Sequence, residues 1–241
     1  SYGDETIFLF MGGFIIALAM EKWNLHRRIA ISIISMVGTN MDRILLGFMI
    51  ATGFLSMWIS NTATAMMMIP IGLAIINQVA DGLKNDPSID TSPQRFAFGK
   101  ALMLGIAYSA SLGGIATLIG TPPNTLLAGA INKMYGIELS FAGWMLFGVP
   151  FAWIFIFVTW IYLVKIAFPS KLKTMPGGRA VIDKQKKDLG EASFEEKLVF
   201  IVFALAAFSW ITRTFLLSKF VDGLTDGMIA VIFALVLFAL P

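Results

Sequence analysis

Residues 44–76 read ILLGFMIATGFLSMWISNTATAMMMIPIGLAII, and no residue among them carries a formal charge. The stretch exceeds the roughly 20 apolar residues that one membrane span requires. It is also interrupted at its middle by Gly53, Ser56, Ser60, Asn61, Thr62 and Thr64, with Pro70 further on. Two half-length helices fit this pattern better than one span. In hydrocarbon each unpaired backbone group costs several kcal/mol, so such a break survives only inside protein or against a water-filled cavity. The expected element is a re-entrant helical hairpin over 42–76 with its tip at Ser60-Asn61-Thr62.

A second break lies downstream. Ala101 to Asn132 is again free of charge, but its middle reads SASLGGIATLIGTPPN over residues 109–124. A continuous helix is not expected there, and the unwound part is placed near 109–121. Thr121 can cap a following half-helix whose first turn holds Pro122 and Pro123, where a missing N–H costs least. Gly113, Gly114 and Gly120 allow the backbone close to a ligand. At the first break Ser60, Asn61 and Thr62 are good cap types for a half-helix from about Ala63, and its N-terminus attracts anions. The carbonyls freed at the end of each preceding half-helix form a negative pole suited to a small hard cation, sodium being the natural candidate.

Composition agrees. Of 241 residues 57% are hydrophobic and 14% charged, with 21 Phe and 14 Met, where a soluble domain carries about a quarter charged residues. The class is an all-α, multi-pass integral membrane protein of the cell (inner) membrane. Basic residues gather in loops, most densely from Lys165 to Lys197, which places that loop in the cytoplasm by the positive-inside rule and argues against nucleic-acid binding. The turn-rich stretch from Asn77 to Gln94 then returns to the cytoplasm with Arg43. Lys22, Arg27 and Arg28 fall outside if residues 29–40 truly span, which strains the rule; the apolar part, Ile29 to Val37, is short for a span. Further spans are expected at Phe141 to Val164 and Leu198 to Leu217. The residues before Ile7 do not read as a leader, and the short run closing the chain after Met228 reads as a fragment's end.

Several chemistries find no residues. The chain has no cysteine, so thiolate metal sites and disulfides are out. Stretches 44–76 and 101–132 lack the Asp, Glu or His that a proton relay or general acid–base catalyst needs, so no enzyme activity is expected. They also lack an Arg or Lys to meet a doubly charged anion, leaving helix dipoles and co-bound cations to compensate it. His26 reads as a membrane-boundary residue, Asp222 and Asp226 as loop residues, and Trp58 as packing.

Ser60-Asn61-Thr62, the Ser-Leu-Gly-Gly-Ile-Ala-Thr-Leu-Ile-Gly-Thr-Pro-Pro-Asn run and Asn24-Leu25-His26-Arg27-Arg28-Ile29-Ala30 together resemble the divalent anion:sodium symporters, the sodium-coupled di- and tricarboxylate carriers. The resemblance implies an inverted-repeat, elevator-type transporter, usually a homodimer, with sodium as coupling ion and no other cofactor. In those terms residues 1–41 are scaffold transmembrane helices, 42–76 the hairpin of the transport domain, 77–96 a cytoplasmic loop, 97–168 transport-domain helices, 169–196 a basic cytoplasmic linker and 197–241 the start of a truncated second repeat. One sodium would be held by the Ser60 and Asn61 side chains and carbonyls near Ser56 and Gly113; Asn61, Thr62, Gly114 and Thr117 would contact substrate carboxylate. The family pattern needs a second Ser-Asn-Thr hairpin, so this chain carries half a site. The alternatives are a sodium-independent dicarboxylate exchanger and an anion channel.

Overall fold

The structure is a computed structural model describing residues 5–38, 40–83, 91–92, 95–169 and 178–240. Lys84, Asp86, Pro87, Asp90 and Pro93 of the expected loop, and Lys171 and Lys173 of the basic linker, lie outside the described residues. The described residues are α-helical with no β-strand among them. Helices α4 (Asn61–Gly82), α5 (Ala97–Ile115) and α7 (Phe141–Tyr162, continued as a π-helix over Leu163–Ala167) are long and apolar enough to cross a membrane.

The hairpin forms as two helices, α3 (Met41–Ser56) and α4, meeting at residues 57–60. Asn40 caps α3 by accepting from the Asp42 and Arg43 amides, and Ser60 caps α4 by accepting from Ala63 N at 3.2 Å. The second helix thus starts at Asn61 rather than Ala63, and it runs through Pro70 to Gly82, past the expected boundary at Ile76. α5 lies in the hairpin's embrace. Gly105 meets Leu45 and Met49, and Gly113 meets Gly53, so α5 runs parallel to α3; Gly72 meets Leu102, Met103 and Ile106, and Gly99 meets Ile76, so it runs antiparallel to α4. Lipid tails are as apolar as leucine, so tight packing through small residues rather than hydrophobic burial holds membrane helices together.

α5 does not unwind at Ser109. It stays helical to Ile115, and only residues 116–121 separate it from α6 (Pro122–Tyr135). Ser109, Ser111, Gly113 and Gly114 all stay within the helix, and Pro122 and Pro123 take the first positions of α6, where a missing N–H costs least. α7 then returns along the bundle, with Trp144 Nε1 donating to Ile115 O at 2.9 Å and Trp160 Nε1 to Asp42 O at 2.8 Å.

Residues 29–40 do not form one long helix: α2 ends at Ser35. α1 (Glu5–Lys22) and α2 (Leu25–Ser35) meet at 70°, through Asn24 in the left-handed conformation at φ 57°. Arg27 donates to Gln185 on α8 (Gly178–Asp188), and Arg28 to the carbonyls of Leu189 and Gly190 and to the Glu196 carboxylate. Arg27 and Arg28 therefore lie against the described part of the basic linker, at one end of the molecule. Glu196 lies in the first turn of α9 (Phe194–Thr212), which runs to the opposite end of the bundle, where Arg213 meets Asp226, and α10 (Asp226–Ala239) lies beside α1, with Ala230 against Gly12. In the full-length protein on a cysteine-free background, cysteines replacing His26 and Glu191 are expected to react with an impermeant maleimide from one side of the membrane, and one replacing Asp222 from the other. Labelling of His26→Cys and Asp222→Cys from the same side would contradict this layout.

Candidate functional site

Four helix ends meet where the hairpin tip touches the loop after α5. The C-termini of the parallel helices α3 and α5 bring two negative poles, and the N-termini of α4 and α6 bring two positive ones. The meeting is backbone on backbone: a Cβ at Gly113 would lie 2.2 Å from Gly53 O, and one at Gly120 would lie 2.6 Å from Gly114 O and 3.0 Å from Ser56 O. Only glycine fits either place.

The tip residues sort by exposure. Ser56 is fully buried; its hydroxyl lies 2.7 Å from both Asn61 Oδ1 and Ala110 O, so one proton serves two acceptors across the hairpin and α5. Ser60 and Asn61 are half-buried and Thr62 is exposed. Gly114 packs on the Asn61 amide so closely that a Cβ there would stand 2.3 Å from Oδ1. Asn61, Gly113 and Gly114, and the Ser56 hydroxyl and carbonyl, are thus brought together, while the Ser60 hydroxyl beside them is engaged as the cap of α4. They present hydroxyl, amide and carbonyl oxygens and no carboxylate, a hard neutral set suited to a monovalent cation.

Thr117 stands apart from its expected substrate role. It is fully buried, its hydroxyl donates to Met57 O and accepts from Gly120 N at 3.0 Å, so it braces the loop against the tip. Thr121 occupies the N-cap position of α6 without a side-chain capping bond. Trp58 packs as expected, stacked on Phe141 at 6.1 Å and edge-on to Phe203 at 5.0 Å, tying the tip to α7 and α9. The cleft beside Ser60, about 20 Å³ between Trp58, Ile119, Gly13 and Glu21, is too small for a dicarboxylate.

Two features were missed in the sequence. Asn124 closes the Thr-Pro-Pro-Asn motif but showed no role; its Nδ2 donates to Gly114 O at 2.8 Å and Thr117 O at 2.7 Å. Asp226 is no loop residue: it is 3% exposed, accepts from Phe141 N at 2.7 Å, and sits with Oδ1 2.6 Å from Arg213 Nε. Asn124's place at the end of the motif run was the one signal that could have found it, whereas nothing local marked Asp226, whose partners lie 13 and 85 residues away.

The chain is 52% identical over its whole length to the sodium-dependent dicarboxylate transporter SdcS of Staphylococcus saprophyticus, and 48% identical to the protein of the same name from Staphylococcus aureus strain USA300. It spans 46% of the length of each of these curated relatives. The profile of the sodium:sulfate symporter transmembrane region matches residues 1–241, and the chain belongs to that family of integral membrane transporters.

Proposed function

We propose that the full-length protein is a sodium-coupled symporter of small dicarboxylates, succinate and also tricarboxylates such as citrate among them, working by an elevator-type motion in a homodimer. The observation that carries this reading is the junction of four helix ends whose own residues carry no charge. A dianion entering it meets two helix N-termini and no Arg or Lys, so co-bound cations must supply the remaining compensation. Neutral oxygens of Ser56, Ser60, Asn61 and Gly113 gather beside those N-termini and are the sodium ligands in this reading. Asn61, Thr62 and Gly114 face the substrate carboxylate, and Thr117 acts by holding the loop. The relatives' described sodium dependence and dicarboxylate transport support the same assignment.

Reconstituted in liposomes, the full-length protein is expected to take up labelled succinate only under an inward sodium gradient. Asn61→Ala, which removes an oxygen shared by cation and anion sites, is expected to lower that uptake by roughly a hundredfold, the scale of losing about 2–3 kcal/mol of site interactions. Undiminished uptake in the absence of sodium would sink the symport reading in favour of exchange.

A further inference from the structure

The end of a helix leaves its last four carbonyls without intrahelical donors, and at the end of α5 three of these oxygens have identifiable partners. Gly113 O accepts from the Ala116 amide at 3.0 Å. Ile115 O accepts from Trp144 Nε1 at 2.9 Å. Gly114 O is held by Asn124 Nδ2 at 2.8 Å, and the same nitrogen reaches Thr117 O at 2.7 Å. An amide nitrogen carries two hydrogens, so both bonds form at once, and a carbonyl oxygen engaged through one lone pair keeps the other. Asn124 is 7% exposed, so water does not readily replace it.

We propose that Asn124 is a positioning residue for the coupling cation, an inference that rests on the sodium-coupled reading above. Its amide draws the Gly114 and Thr117 carbonyls to one point and so fixes the direction of the turn between them. That turn carries Gly113 onto Gly53 and Gly114 onto Asn61, where displacement of a few tenths of an ångström moves the Asn61 oxygen itself, since a Cβ's worth of space is all that separates them. The ligand oxygens are thereby held by a group outside their own shell, as outer-shell partners orient metal ligands elsewhere. Thr117 secures the far end of the same turn to the hairpin through Met57 O. A carboxylate in place of the amide would set acceptors against two acceptors and reverse the effect without changing side-chain size.

The test is a sodium titration of succinate uptake by the full-length protein in liposomes, comparing the parent protein with Asn124→Asp, Asn124→Ala and Thr117→Val. The expected result is that the sodium concentration for half-maximal uptake rises about tenfold or more in the Asn124 variants, about 1.4 kcal/mol of cation affinity. Maximal rate at saturating sodium should change by less than about threefold, the signature of lost binding rather than lost turnover. In parallel, the sodium-induced rise in melting temperature of the detergent-purified protein is read against each variant's own sodium-free value, so that a general loss of stability cancels. Asn124 variants with the parent's sodium dependence, and uptake reduced only in proportion to folded protein, would overturn the inference. Should neither Asn124 variant fold, Thr117→Val decides: a shifted titration supports the turn's control of the cation site, and an unshifted one overturns it. A parent protein indifferent to sodium overturns the symport reading and this inference together, whereas a sodium-dependent parent with unshifted variants overturns this inference alone.

Discussion

Gly113→Ala is expected to abolish sodium-dependent succinate uptake by the full-length protein, and the reason is that its new methyl group has nowhere to go. The Cβ would lie 2.2 Å from Gly53 O, 2.7 Å from Gly53 Cα and 2.8 Å from Gly53 C. All three atoms belong to the backbone of α3, so no rotamer change relieves the contact. Overpacking costs about 1–3 kcal/mol even where side chains can yield; here two parallel helices must separate. Separation carries Gly114 away from Asn61 and loosens the Ser56 hydroxyl from Ala110 O, so the hairpin tip and the loop lose register together. Gly72→Ala provides the contrast. Its nearest neighbour is the Met103 methyl at 2.9 Å, the far end of a flexible thioether that can move aside, and uptake should stay within about twofold of the parent, the usual range of a tolerated substitution. Uptake at parental level in Gly113→Ala would mean that the α3–α5 contact is not what holds the site.

Much of this arrangement was legible because the signals were local. A charge-free stretch too long for one span, with Ser60 at its middle, announces two helices and a cap, since capping needs only the side chain and an amide three residues on. Pro122 and Pro123 likewise fix where α6 begins. What misled was treating glycine and serine as breakers: Ser109 to Gly114 stay helical, because these residues retain their amide donors and the glycines let α5 pack against α3 and the Asn61 amide. The Arg28–Glu196 pair, the turn of α2 onto the linker, and Asn124's two carbonyls were illegible for another reason. Each joins atoms that only the folded chain brings together, and the residue types involved read equally well as loop charges or helix caps.

Arg213 offers the second large effect. The residue is 6% exposed, beyond the end of α9, with Nε 2.6 Å from Asp226 Oδ1, Nη1 3.1 Å from Leu224 O and Nη2 2.7 Å from Glu138 Oε1. Asp226 in turn accepts from Phe141 N, so this one cation joins α9, α10 and the start of α7. Arg213→Met retains a long apolar stem but strands a buried carboxylate with a single amide donor. Breaking a buried pair in this way costs roughly 3–5 kcal/mol, more than the intact pair is worth over a neutral replacement. Thermal unfolding of the purified full-length protein should therefore show a large drop for Arg213→Met, and a partial recovery when Asp226→Asn is added, because the double variant leaves no uncompensated charge. Glu138→Gln tests the other arm. The Glu138 side chain is 56% exposed, and a solvated partner contributes about 0–1 kcal/mol, so its unfolding temperature should remain close to the parent's. Equal losses from Glu138→Gln and Arg213→Met would assign the stabilisation to the solvated arm and contradict the weight placed on Asp226; no recovery in the double variant would show that the bonds to Leu224 and Phe141, rather than the buried charge, hold the three helices together.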